Sequence, residues 1–187
     1  MSTEILIRLA GLADKDELRA MQVKSFRELG AACYERSVIE AFISVIGTMD
    51  DSLLEQGTYY AAVAGGAIVG CGGWSDRTPG YAVHAIEASG RAQVGKATVR
   101  SIFVHSAWAR RGIASTIMGL IEAEIVAAGF RTASLTATLS GVPLYARLGY
   151  CATQSVALGL PEGLSFVGIA MTKDLIAAGP MITAKAA

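Results

Sequence analysis

A chain of 187 residues that is 52% apolar suits one domain with a sizeable core and excludes disorder over most of its length. Sixteen basic and sixteen acidic side chains balance, which removes any global pull toward nucleic acid or an anionic membrane. Cys33, Cys71 and Cys151 are too few and too scattered for a disulfide framework or a zinc pattern.

Ile5 to Leu9 reads as a first strand. Asp14 and Glu17 form an Asp-x-x-Glu capping-box pattern at the start of a helix, whose apolar stripe is Leu18, Met21, Ser25 and Leu29. A second helix is predicted from Ser37 to about Ile46, with Val38, Phe42, Val45 and Ile46 facing inward. Thr58–Ala64 and Ala67–Trp74 read as two strands joined by Gly65-Gly66, a two-residue loop in which both positions take positive φ without steric cost. Ala61 to Trp74 is uncharged but carries five glycines, and it is shorter than the roughly 20 apolar residues a membrane span needs. Residues 75–95 read as a long irregular loop with Pro79, Gly80 and Gly90. Thr98–His105 is predicted as a strand, Ser106–Arg111 as a turn, and Ile113, Ile117, Leu120, Ile121 and Ile125 as one helical stripe closed by Gly129. A strand at Ala133–Thr138, a short helix at Gly141–Leu148 capped by Gly149, and strands at Thr153–Leu158 and Leu164–Thr172 complete the pattern. Residues 176–187 are expected to fray. This order predicts a single α/β domain, residues 1–175, with a mixed sheet and helices on both faces. Cys71 and Cys151 are expected as small buried hydrophobes, and the opening residues lack a charged-then-apolar leader, so a cytoplasmic protein is expected.

The balanced total charge hides an asymmetry. Residues 1–87 hold twelve acidic and seven basic side chains, whereas residues 88–161 hold seven basic ones and only two acidic, Glu122 and Glu124. The second region is the natural place for an anion. Within it, a strand leads through a basic turn into a helix that opens with small residues: Arg110-Arg111-Gly112-Ile113-Ala114. A helix N-terminus leaves backbone N–H groups unpaired and carries about half a positive charge. Gly112 and Ala114 let a phosphate approach those amides, and Arg110 and Arg111 add charge at the mouth. A Gly-Lys-Ser/Thr phosphate loop and a dinucleotide fingerprint are both missing from the sequence.

Strand, basic turn, Arg111-Gly112-Ile113-Ala114 and amphipathic helix together resemble the acetyl-CoA motif of GNAT-superfamily N-acetyltransferases, Gln/Arg-x-x-Gly-x-Gly/Ala. Gly112 and Ala114 match, and the first fixed position falls on Ala109. Pro143-Leu144-Tyr145-Ala146-Arg147-Leu148-Gly149-Tyr150 resembles the family's second signature, and Met171–Leu175 its closing strand. The resemblance implies a mostly antiparallel sheet with a splayed central strand. It implies acetyl-CoA as co-substrate and no metal, in keeping with only two histidines, His84 and His105. The backbone of Ile102, Phe103 and Val104 would then pair with the pantetheine arm, and the segment Arg110, Arg111, Gly112, Ile113, Ala114 and Ser115 would hold the pyrophosphate.

The implied reaction moves an acetyl group to a primary amine of a small molecule or peptide by direct attack. Tyr145 is the candidate acid for the departing thiolate, because a phenol is neutral at pH 7 and can donate. No carboxylate lies between Ala88 and Ile121, so the central strand supplies no glutamate base. Glu87 stands just before that strand, and a water relayed by backbone carbonyls is the expected route. His105 is expected in turn or capping duty. Phe26, Tyr34, Trp74 and Tyr81 are placed either in the acceptor pocket or in the core. A non-catalytic acyl-CoA sensor is the competing reading. Neither nucleic acid nor membrane is an expected partner, and an edge strand in need of cover is compatible with a homodimer.

Overall fold

The computed structural model describes residues 4–49, 51–77 and 97–176. Seven strands, β1 (Ile5–Leu9), β2 (Tyr59–Ala64), β3 (Ala67–Ser75), β4 (Ala97–Val104), β5 (Thr132–Thr138), β6 (Cys151–Gly159) and β7 (Ser165–Asp174), form one open sheet. Their spatial order is β1-β2-β3-β4-β5-β7-β6, and every neighbouring pair is antiparallel except β4 with β5. Helices α1 (Lys15–Gly30) and α2 (Arg36–Val45) cover one face, together with a single turn, α3 (Ser52–Glu55), that hydrophobic periodicity does not reveal. Helix α4 (Ile113–Ala127) and the short α5 (Val142–Arg147) cover the other. The predicted class, element order and helices on both faces hold. Among the described residues no helix is long and apolar enough to cross a membrane.

The core forms where the helical stripes meet the sheet. Ile113, Ile117, Met118, Ile121 and Ile125 of α4 are all buried, each contributing about 2 kcal/mol of transfer from water. Leu120, expected in that stripe, is 40% exposed, and Met118 takes its place. On α1 the buried set is Leu18, Met21, Gln22, Ser25, Phe26 and Gly30, while Leu29 is exposed. On α2 Ile39 is buried and Val45 is exposed. These are shifts of one helical position at the margin of each stripe. Cys71 is buried as expected, but Cys151 is exposed, because it lies on the edge strand β6. Gly65 and Gly66 take φ of 58° and 84°, which closes the β2–β3 hairpin as predicted.

The expected capping box on α1 does not form. Asp14 stands at the N-cap, yet its carboxylate turns back to accept from the Gly11 N–H at 2.8 Å and from Arg8 at 2.7 Å and 2.8 Å. Glu17 reaches across to the sheet and accepts from the Ile68 N–H at 2.7 Å. Arg8 holds the Asp14 carboxyl down to about 2, below its unfolded value of about 3.9. A depressed acid stabilises the fold above its unfolded pKa and loses that contribution as pH falls through the folded one. Because Arg8 is partly solvated, Asp14→Asn is expected to cost about 1 kcal/mol at pH 7. Urea unfolding should show that difference shrinking between about pH 4 and pH 2.

Candidate active site

The centre of the sheet is split. β4 and β5 pair only at Ala97–Ala133 and Thr98–Ser134, after which the two strands diverge. The split follows from a bulge in β4: Gly73 faces Arg100 and Cys71 faces Phe103, so Ser101 and Ile102 together oppose Gly72 alone. Ser101 sits in the left-handed region at φ 53°. Gly72 gives the bulge room, since a Cβ there would lie 2.1 Å from Cδ1 of Ile102. Beyond Thr98, the β5-facing edge of β4 has no strand partner among the described residues. An extended chain laid in this wedge would run along the β4 edge from Ile102 to Val104, where the Val104 carbonyl already accepts from the Ser25 hydroxyl. The bulge at this position agrees with the family resemblance. Nothing local marks Ser101 in the sequence, because it is neither glycine nor asparagine.

The wedge opens toward the N-terminus of α4. His105 caps the turn Ser106–Trp108, its Nδ1 accepting from the Ala107 N–H at 3.2 Å, so capping is what its imidazole does here. Arg110 and Gly112 then both adopt positive φ, 65° and 84°. Gly112 is the N-cap of α4, and no side chain caps it. Its carbonyl accepts from the Thr116 N–H at 2.9 Å, which starts the helical ladder and leaves the amides of Ile113, Ala114 and Ser115 pointing outward from the first turn. A Cβ added at Gly112 would meet nothing within 4 Å, so the approach to those amides is open. Arg110 and Arg111 are exposed, and among the described residues neither is ion-paired. The Arg111 guanidinium lies 4.7 Å from the centre of the Trp108 ring, which fixes it beside the turn. The two carboxylates of α4 are taken up elsewhere: Glu122 pairs with Lys173 at 2.6 Å, and Glu124 accepts from Tyr60 and from Trp74 at 3.0 Å. The cradle is therefore electropositive and spatially clear, and it fits a pyrophosphate.

Tyr145 stands on α5 at the far side of the wedge. A Cβ on Gly141 would lie 3.1 Å from its Cε2 and 3.2 Å from Oγ1 of Thr138, which places the ring by the splayed end of β5. Its ring is buried and packs edge-on against Tyr150. Burial pushes the phenol above its usual pKa, so it stays protonated through the working range. No described residue hydrogen-bonds its hydroxyl, whereas the Tyr150 hydroxyl is sealed beside Glu122. Tyr145 is thus a neutral donor with a free proton.

On the α1 face, Phe26, Tyr34, Phe42 and Phe166 pack with Phe103 of β4 into one aromatic cluster. Tyr34 closes it, its hydroxyl donating to the Val167 carbonyl and accepting from the Leu139 N–H. Trp74 lies on the opposite face, in the α4 core. Tyr81, His84 and Glu87 lie outside the described residues. Among the described residues no cluster of histidine, cysteine or carboxylate side chains could hold a metal ion.

The family model described as Acetyltransferase (GNAT) family matches residues 16–150. Among curated proteins no sequence matches the chain. Among solved structures, a GCN5-related N-acetyltransferase from Rhodopseudomonas palustris superposes with a TM-score of 0.71 at 20% identity, covering 93% of this chain and 98% of that one. The PaiA N-acetyltransferase from Thermoplasma acidophilum, solved in complex with coenzyme A, gives a TM-score of 0.65 at 15% identity over 91% and 99%. A Drosophila melanogaster polyamine N-acetyltransferase that forms N-acetylagmatine gives 0.63 at 14% identity over 91% and 100%.

Proposed function

The chain belongs to the GNAT acetyltransferase family, and on that premise we propose that it moves the acetyl group of acetyl-CoA onto the primary amine of a small molecule. The observation that carries this reading is the β4–β5 wedge, with an uncapped, basic helix N-terminus at one end and a protonated Tyr145 across it. In this reading the amides of residues 112–115 hold the pyrophosphate with Arg110 and Arg111, and the β4 edge at Ile102–Val104 holds the pantetheine arm. Backbone N–H groups of the wedge face the thioester oxygen as negative charge grows on it. Tyr145 gives its proton to the departing thiolate. A lysine-like amine needs about 4.6 kcal/mol to be neutral at pH 7, and a water relay between backbone carbonyls takes its proton. Similarity to enzymes named for agmatine and polyamines, with an aromatic cluster beside Phe103, supports a small amine over a protein.

Calorimetric titration with acetyl-CoA is the test. Micromolar binding is expected, followed by turnover on a panel of agmatine, polyamines, arylalkylamines and N-terminal peptides. A folded protein that does not bind acetyl-CoA would sink the proposal. Arg111→Gln is expected to weaken binding about threefold to tenfold at low salt, with the difference fading at 1 M salt as the Debye length falls to about 3 Å.

A further inference from the structure

The bulge is held from behind, on the α1 face, by a closed ring of hydrogen bonds. The Thr48 hydroxyl donates to Oε1 of Gln22 at 2.8 Å, and the Gln22 amide donates to the Tyr59 hydroxyl at 2.8 Å. The Tyr59 hydroxyl donates to the Ser101 carbonyl at 2.8 Å, and the Ser101 hydroxyl donates back to the Thr48 carbonyl at 2.9 Å. One turn along α1 from Gln22, the Ser25 hydroxyl donates to the Val104 carbonyl at 2.8 Å. The carbonyls at both ends of the Ile102–Phe103 segment are thereby drawn toward α1.

Burial makes this arrangement informative. Gln22 and Tyr59 are completely buried, and Ser25 is 3% exposed. Buried polar groups stabilise little by themselves and are costly when left unpaired, so apolar residues of the same volume would serve plain packing as well. Here the polar groups converge on Ser101, which holds a left-handed conformation that costs an L-residue about 1–2 kcal/mol. Burial pushes the Tyr59 phenol well above its usual value, so it stays uncharged and the ring keeps its donor at working pH.

We propose that Gln22, Thr48, Tyr59 and Ser25 are positioning residues: they hold the splayed segment of β4 in the geometry that grips acetyl-CoA, acting through the strand's backbone. The inference rests on the acetyltransferase reading above.

Three variants test it: Tyr59→Phe, Ser25→Ala and, as a control, Tyr60→Phe. Tyr60 is the next residue on β2, and its hydroxyl is bound to Glu124 on the α4 face, away from the bulge. Acetyl-CoA affinity is read by calorimetry, amide exchange of residues 99–104 by mass spectrometry, and stability by thermal unfolding. Tyr59→Phe is expected to weaken acetyl-CoA binding about tenfold and Ser25→Ala about threefold, with faster exchange over 99–104 in both. Tyr60→Phe should lose stability but keep its affinity and its exchange in that segment within twofold. Wild-type affinity in folded Tyr59→Phe and Ser25→Ala overturns the proposal, as does an equal loss in Tyr60→Phe. If Tyr59→Phe does not fold, Ser25→Ala decides: weakened binding upholds the role and wild-type binding overturns it. A folded wild type that does not bind acetyl-CoA overturns the acetyltransferase reading and this role with it, whereas binding that is insensitive to the variants overturns this role alone.

Discussion

Replacing Tyr145 by phenylalanine is expected to lower kcat by about 10²- to 10³-fold while changing the KM for acetyl-CoA less than about threefold. The asymmetry follows from where the hydroxyl acts. Phenylalanine keeps the ring against Tyr150 and Gly141, so the wall of the wedge survives. What is lost is a proton donor that matters only as the carbon–sulfur bond breaks and charge gathers on sulfur. Because burial raises the Tyr145 pKa above 10, this proton does not titrate in the ordinary assay range. The wild-type rate should therefore show no alkaline decline below about pH 10 that Tyr145→Phe abolishes. Steady-state kinetics of both proteins from pH 6 to 10 check this. Equal kcat in the two would remove Tyr145 from the chemistry and return it to the core.

Gly112→Glu is expected to weaken acetyl-CoA binding by at least about a hundredfold. Two lost amide–phosphate hydrogen bonds, each worth about 1.5–3 kcal/mol, are enough for that, at about 1.4 kcal/mol per tenfold. The added carboxylate also repels the diphosphate it replaces. Backbone strain is a separate effect, since any side chain at φ 84° is strained. Gly112→Ala isolates it: the strain is the same, the surroundings are open and no charge is added. Calorimetry should find Gly112→Ala within about tenfold of wild type and Gly112→Glu far weaker. If the two variants lose affinity equally, the cradle is a cap and nothing more.

The readable parts of this protein are those written in contiguous residues. The geometry of Arg110 to Ala114, which carries the proposed anion site, was legible because the turn, the left-handed glycine and the free amides of a first helical turn are set by a few neighbouring residues. The Gly65-Gly66 hairpin and the left-handed Gly129 and Gly149, at φ 90° and 89°, were legible for the same reason. The stripes of α1, α2 and α4 were legible to within one position. Periodicity gives the direction of the buried face but not its width, so Leu29, Val45 and Leu120 fell on the exposed side of the margin.

By itself, then, the sequence determined the class, the order of elements and the family, all of which rest on local periodicity or short motifs, and those motifs also name the proposed phosphate cradle. Only the tertiary structure decided that Asp14 would serve Arg8 and Gly11, that Glu17 would bind Ile68, and that Trp74 would pack in the α4 core. The resemblance implied a splayed β4, but what holds the splay was decided by the tertiary structure alone, because the groups that hold Ser101 come from positions 22, 48 and 59, on three different segments. A hydrogen bond between residues so far apart leaves no pattern in either one's neighbours. It exists only once the hydrophobic faces have brought α1, β2 and β4 together and removed the water that would otherwise compete for it.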